Sequence, residues 1–327
     1  MSKVSVIIPV FGVEKYIERC ARSLFEQTLD DMEFIFVDDC TPDRSIEILK
    51  SVIEEYRLRF AEKKYEVRIE RMPTNSGQAA VRRHGIQLAT GDYIIHCDSD
   101  DWVDVTMYEK MYNKAIEDDA DMVVCDYMVT DGESTQNIVK ACHSVKPFEF
   151  LENMLFQRDP WSLWNKLFKK IAYYKIVYPD NSMGEDMAMS IQLITRCRHM
   201  AYIPEPLYSY YINPESITKT NSFDSCVRKY QQLFENSKII FDFLEETGLI
   251  MYMKDAIIIY KHCIRTVLYP IVYKKDYYTI WRSTFPGLNW QCLISKHISI
   301  KDKLRIILTL IHLYPRKKNW QNNMKSS

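Results

Sequence analysis

The sequence predicts an open α/β sheet flanked by helices, followed by a mainly helical C-terminal extension. Three observations carry that prediction. In the first hundred residues, apolar runs and amphipathic stripes alternate as strand, helix, strand, helix, strand, helix, strand, the pattern of crossover connections in a largely parallel sheet. The strand-like runs are continuous rather than alternating, which suits strands buried on both faces. Three of them also stop abruptly, at Pro9-Val-Phe11, Asp38-Asp39 and Asp98-Ser-Asp-Asp101. Ligands in open α/β sheets sit beyond the carboxyl ends of strands, so these ends are expected to face one crevice.

Val4 to Val10 is the first strand, with Pro9, which has no N–H to donate, expected to mark its end. Apolar residues at 13, 16, 17, 20, 21, 24 and 25 predict a helix over Val13 to Leu29. Glu33 to Asp39 is a second buried strand, after which Thr41 is expected to cap a helix with Pro42 in its first turn. A weaker strand covers Tyr65 to Arg71, Asn75-Ser-Gly77 is a turn, and Gln78 to Leu88 is a helix. Tyr93 to Cys97 is the fourth strand. Beyond it the pattern predicts a helix over Trp102 to Glu117 and a strand over Asp121 to Met128. A polar hairpin or loop follows near Thr130 to Val145, then a helix over Pro147 to Gln157. Asn181 to Asp186 turns into a helix over Met187 to Arg196, two short strands cover Ala201 to Ile203 and Leu207 to Tyr211, and residues 222–320 are mainly helical by pattern.

At the fourth strand's end, three carboxylates in four residues repel one another unless a cation or solvent relieves them. Asp98 and Asp100 point the same way in an extended segment, a placement suited to a divalent cation. Asp101 points the other way and is expected to support the fold.

Composition narrows the function. At 47% hydrophobic and 27% charged residues, the 327-residue chain is ordinary for a globular protein and not for a disordered one. Its nine cysteines are odd in number, scattered and free of C-x-x-C pairs. That argues against a disulfide framework or zinc site and favours a reducing, cytoplasmic location. No signal-type segment and no apolar run approaching 18 residues is present. A dinucleotide oxidoreductase would need a G-x-G-x-x-G loop, which is absent. Charge divides the chain: residues 221–327 hold 17 Lys and Arg to 8 Asp and Glu, net +9, and residues 1–220 hold 26 to 36, net −10. Two parts with different partners are expected.

Val4-Ser-Val-Ile-Ile-Pro-Val-Phe11, Phe36-Val-Asp-Asp39, Asn75-Ser-Gly77, Arg82 to Gly85 with Ala89-Thr-Gly-Asp92, Asp98-Ser-Asp-Asp101, Trp164-Asn-Lys166 and Gly184-Glu-Asp186 occur in that order. Together they resemble a family 2 glycosyltransferase of the inverting type, with the Rossmann-like GT-A fold, over about residues 3–215. The resemblance implies a nucleotide-sugar-binding and catalytic domain over 1–220, with a helical, basic region over 221–327. It implies that Asp100 reaches a divalent cation, Mn²⁺ or Mg²⁺, on the donor diphosphate and that Asp98 contacts the ribose. Asp39 would accept the N–H of the base, which favours uracil and so a UDP-sugar. Phe11, beyond Pro9, would stack on the base, though a tyrosine is more usual there, and Arg82 would lie near the nucleotide. Arg83 and His84 read as a solvated face, and His96 as a satisfied buried histidine. Asp186 matches the catalytic base, with Glu185 as the alternative. Trp164 and Lys166 could meet acceptor or phosphate, and Trp161 could add a sugar platform.

The expected function is transfer of a sugar to a glycan or lipid-linked glycan hydroxyl, in surface or capsular polysaccharide synthesis of a bacterial type. A nucleotidyltransferase or a non-catalytic nucleotide-sugar-binding protein is the alternative; no nucleic-acid partner is expected. Ser299 to Trp320 combines a broad apolar helix, flanking Lys and Arg and a terminal Trp. That fits peripheral contact with the inner face of the plasma membrane, and equally a helix packed on other protein.

Overall fold

The computed structural model describes residues 2–213 and 222–313. The chain divides into two compact units, one of Met1–Met154 with Arg158–Glu215 and the other of Leu155–Gln157 with Ser216–Ser327.

The first unit is built on a mixed sheet. Its strands are β1 (Val4–Val10), β2 (Met32–Asp38), β3 (Glu66–Arg71), β4 (Tyr93–His96), β5 (Trp102–Val103), β6 (Met122–Thr130), β7 (Thr135–Val139), β8 (Lys166–Lys169) and β9 (Met200–Tyr211). The sheet order is β3-β2-β1-β4-β8-β6-β9-β5, and β7 pairs with β6 as a hairpin. β3, β2, β1 and β4 run parallel. Their carboxyl ends therefore lie along one edge. β8 enters antiparallel between β4 and β6, which ends the parallel half.

β1, β2 and β4 are buried on both faces, apart from the half-buried Pro9. Helix α1 (Ile17–Phe25) lays Cys20, Ala21, Leu24 and Phe25 into the core. The Phe25 ring meets Phe34, Phe36 and Phe60 edge-on at 4.9–6.0 Å between centroids, a favourable aromatic geometry. Helices α2 (Ser45–Lys63), α3 (Gln78–Leu88), α4 (Met107–Glu117), α5 (Pro147–Leu155) and α6 (Glu185–Ile194) complete the set.

Several expectations need correction. Pro9 does not end β1, which runs on to Val10. Backbone alternation turns the Pro9 nitrogen toward β4, beyond the last paired residues Ile7 and His96 and the Cys97 N–H bond to the Ile7 carbonyl. Thr41 does not cap α2, which starts at Ser45 without a side-chain cap. Its hydroxyl instead accepts from Gly12 N–H at 2.9 Å and donates to Asp43 at 2.7 Å. The helix expected from Trp102 starts at Met107, because Trp102 and Val103 pair with Ser209 and Tyr208 of β9. The two short strands after residue 200 are one strand whose register against β6 shifts at Cys125/Asp126 and Asp126/Tyr127.

In the second unit, α7 (Phe223–Glu246), α8 (Lys254–Thr266), α9 (Lys275–Ser283), α10 (Leu288–Ile294) and α11 (Ile300–Leu310) follow one another. Ser222 and Ser299 cap α7 and α11 through the N–H groups of Ser225 and Asp302. The expected C-terminal helix is described only to Leu310; residues 314–320 of that expectation lie outside the described residues.

A buried carboxylate, Glu33, fastens the loop before β4 to the sheet. It accepts from the Ser5 hydroxyl, from Thr90 N–H and Oγ1, and from Gly91 N–H. A Cβ at Gly91 would stand 2.7 Å from the backbone nitrogen of Ser5, closer than packed atoms tolerate. Gly91→Ala is expected to destabilise the protein by about 1–3 kcal/mol, read as a lower urea midpoint at unchanged m-value.

Candidate functional site

The parallel register sets three strand ends side by side. Val10 pairs with Asp38, and Ile7 with His96, so Phe11, Asp39 and the acids after β4 share the sheet's carboxyl edge. Phe11 is 46% exposed. Its loop is held from behind: Val13 N–H donates to Ser45 Oγ at 3.1 Å and Glu14 N–H to Asp43 at 2.9 Å. Asp39 is buried and spends both oxygens on the turn before α3, accepting Ser76 N–H at 2.7 Å and Gly77 N–H at 2.8 Å. Each oxygen keeps a second lone-pair direction. Gly77 adopts φ +81°, and a Cβ there would strike Ser182 Oγ at 2.7 Å. The turn therefore abuts the segment that leads into α6.

Arg82 ties the remaining acids together. Buried on α3, it donates to Asp98 Oδ1 at 2.7 Å and pairs closely with Glu185. Gln78 also donates to Asp98 Oδ1, at 3.2 Å. Gly184, at φ +80°, lets the chain turn into α6 and brings Glu185 and the half-buried Asp186 to this point. Burial opposes the Arg82 charge, but Glu185, Asp98 and Asp186 outweigh it and hold the guanidinium above its ordinary value. One cation cannot neutralise three acids. Burial accordingly pushes the Glu185 carboxyl up to about 8 despite Arg82. It raises Asp186 as well, with Arg82 and Lys166 pulling back.

Asp98 and Asp100 are half-buried, and burial together with the Asp98 charge raises the Asp100 carboxyl. Asn213 Nδ2 donates to Asp100 Oδ2 at 3.0 Å. Arg19, stacked 3.6 Å over the Trp102 ring, donates to the Asp100 carbonyl at 3.2 Å. Among the described residues no three His, Cys, Asp or Glu side chains are grouped to cage a metal. The pair nonetheless fits a hard cation of the Mg²⁺ or Mn²⁺ kind, which takes one or two carboxylates and completes its shell with phosphate and water. Asp101 is turned into the core, where it accepts Tyr208 O–H at 2.6 Å and Tyr211 N–H at 2.7 Å.

Trp164 and Lys166 were expected to meet acceptor or phosphate, but neither is presented to the crevice. Trp164 is buried, stacked on Tyr208 at 4.2 Å and met edge-on by Tyr127 at 4.7 Å. Lys166 is buried with all three donors engaged, at Pro160 O, Ser162 O and Asn165 Oδ1. Burial lowers it to about 7, although Asp186 and Asp159 favour its charge. Trp161 is half-buried and donates its indole N–H to Met154 O at 2.9 Å. His96 is buried, with Nε2 at 3.3 Å from the Tyr173 hydroxyl but Nδ1 without a partner among the described residues, so it is only half satisfied; burial and the Arg82 charge lower it well below its ordinary value.

The family model for glycosyl transferase family 2 matches residues 5–176, more than half of the chain, which takes in Phe11, Asp39, Arg82, Asp98 and Asp100 but not Glu185 or Asp186. This chain belongs to glycosyl transferase family 2. It is a glycosyltransferase, and with that the nucleotidyltransferase alternative falls away. Other family members share recognisable sequence. The provisionally named glycosyltransferase EpsH of Bacillus subtilis is 30% identical over 259 residues, covering 75% of this chain and 70% of that protein. The cholesterol galactosyltransferase of Borreliella burgdorferi is 25% identical over 323 residues, covering 93% and 83%. The crystal structure of S. aureus TarS 1-349 in complex with UDP-GlcNAc superposes with a TM-score of 0.71 at 16% identity, over 95% of this chain and 88% of that one. The family 2 chain thus has the GT-A architecture expected of it.

The raised Glu185 carboxyl has a consequence for stability. The folded state keeps a proton that the unfolded chain loses near 4.5, so stability is full below that pH and falls as pH rises toward about 8. Glu185→Gln removes this dependence. Its stability relative to wild type should therefore climb between pH 5 and 8, measured by urea unfolding across about that range.

Proposed function

We propose that this glycosyltransferase moves a sugar, with inversion, from a UDP-sugar to a hydroxyl of a glycan or lipid-linked glycan acceptor, in surface or capsular polysaccharide synthesis. The observation that carries the reading is the convergence of Asp98, Glu185 and Asp186 on one buried guanidinium, beside the open Phe11 ring. UDP-GlcNAc bound to TarS, which shares the fold, makes a UDP-sugar the first donor to try.

In this proposal Phe11 stacks on the base above Pro9, Asp39 accepts the base N–H, and Asp98, fixed by Arg82, meets the ribose. Asp100 is the cation ligand. A bound Mg²⁺ or Mn²⁺ would neutralise charge on the leaving diphosphate. Asp186 takes the acceptor hydroxyl's proton while that oxygen attacks the anomeric carbon. The new carbon–oxygen bond forms as the bond to the diphosphate breaks, and the diphosphate leaves with the electron pair. Glu185, shared with Arg82 and inclined to hold a proton, orients the site rather than acting as base. Lys166 acts on the electrostatics of Asp186 and does not touch the acceptor.

We also assign peripheral membrane contact to α11. Ile300 and Leu304 are 78% and 54% exposed on a helix that also carries Lys301, Lys303 and Arg305, and Ile311 just past its end is 55% exposed, an arrangement suited to an anionic interface. No described helix is long and apolar enough to cross a membrane. The cholesterol galactosyltransferase relative is consistent with an acceptor held at a lipid surface.

A thermal-shift comparison of UDP, GDP and their sugars tests the donor, since a ligand of the native state raises its melting point. Asp186→Asn is expected to cut transfer by roughly 10²–10⁴-fold with UDP binding retained; full activity in that variant overturns the base assignment. Asp100→Ala should abolish the gain in UDP affinity that Mn²⁺ gives the wild type, read by titration with and without the metal. Because Asp186 is raised, transfer should fall as pH drops, from higher pH than an ordinary carboxylate would dictate.

A further inference from the structure

The helical unit contains a buried charge with no partner. Arg265 on α8 is 1% exposed. Among the described residues, none of its three guanidinium nitrogens has a hydrogen-bond acceptor. An arginine stays protonated in proteins, so burial cannot be relieved by loss of the proton. The guanidinium carbon lies 4.4 Å over the Trp281 ring, which offers a π face and no acceptor. The unmet polar atoms do not stop there. The indole N–H of Trp281, the hydroxyl of Tyr269 and both ring nitrogens of His262, one a donor and one an acceptor in the neutral ring, are likewise buried and without partners among the described residues. Arg305, exposed on α11, lies 4.0 Å over the Tyr269 ring and brings a second fixed positive charge to the same cluster. The acid that faces these groups, Asp302, is engaged at the start of α11, where its Oδ2 takes the Ser299 hydroxyl at 2.6 Å.

We propose that the helical unit binds a phosphate group at Arg265, between α8, α9 and α11. A forked guanidinium, an indole N–H and a phenol O–H lie on neighbouring side chains without an acceptor, and a tetrahedral oxyanion supplies several acceptor oxygens at once. Two arginines match the charge of a phosphate mono- or diester better than that of a single carboxylate. The surplus of base over acid across residues 221–327 draws anions to this part of the chain. The same chemistry is offered by a phospholipid headgroup and by free phosphate. The site is made of second-unit residues alone, and the proposal does not depend on the reading of the donor site.

The test uses the full chain. Inorganic phosphate, against chloride at matched ionic strength, should raise the melting temperature of wild type and of Asp100→Ala alike. Arg265→Met, which keeps the stem and removes the charge, should weaken phosphate binding at least tenfold while leaving UDP binding unchanged. Should that variant fail to fold, Arg305→Gln at the surface is expected to weaken phosphate binding several-fold. Vesicles of phosphatidylglycerol, compared with phosphatidylcholine, separate the sources. Sedimentation with phosphatidylglycerol that is lost in the Arg265 or Arg305 variant assigns the site to a lipid headgroup; phosphate binding with vesicle binding unaffected assigns it to free phosphate. The proposal is overturned if phosphate and chloride act alike on the wild type, or if both variants bind phosphate as the wild type does.

Discussion

The site hangs on one buried cation. Arg82 holds Asp98 from the end of β4 and Glu185 from the start of α6, two segments 87 positions apart in the chain, against a third acid at Asp186. An unpaired charge at that depth would be strongly destabilising, so the arginine and its acids require one another. The crevice keeps more negative charge than the arginine cancels. Burial first, with that like charge added, is why the acids there are reluctant to ionise.

Much of this was legible from residue order alone. Continuous apolar runs identified β1, β2 and β4, and α3 begins at Gln78 and ends at Leu88 as its pattern implies. The parallel order then forces the strand ends together, because side chains at matching register share an edge. What escaped was set by contacts distant in sequence. Arg19 looks like a solvated charge on α1, and only β9 brings Tyr211 to it while Asp100 turns its carbonyl there. Asn213 and Tyr208 reach Asp100 and Asp101 across more than a hundred residues. Lys166 and Trp164 misled for the opposite reason. A polar or aromatic side chain in a motif reads as available, and its burial depends on neighbours such as Ser162 and Tyr208 that periodicity cannot place.

The two units differ in how they handle polar groups. In the first, buried acids are answered: Glu33 by the Ala89–Gly91 loop, Asp39 by Ser76 and Gly77, Asp101 by Tyr208 and Tyr211. In the second, donors accumulate around Arg265 unanswered. The first unit also leaves some buried polar atoms without a partner, among them Glu33 Oε2, Arg82 Nε and His96 Nδ1, whereas those of the second lie mostly around Arg265 and the rings beside it; native interiors satisfy nearly all such groups.

The loop that carries Phe11 shows how the fold affects binding as well as shape. Thr41, Asp43 and Ser45 take three consecutive backbone N–H groups, of Gly12, Glu14 and Val13 respectively, while the aromatic ring stands in solvent. A flat surface offered from a backbone already immobilised loses little further freedom when a planar partner lies on it. Ordering entropy has been spent during folding, through hydroxyl and carboxylate groups that hold the loop backbone. If Phe11 receives the base as proposed, the short polar segment after β2 supports that affinity by holding the loop, and substitutions there are felt as weaker association with the ring itself unchanged.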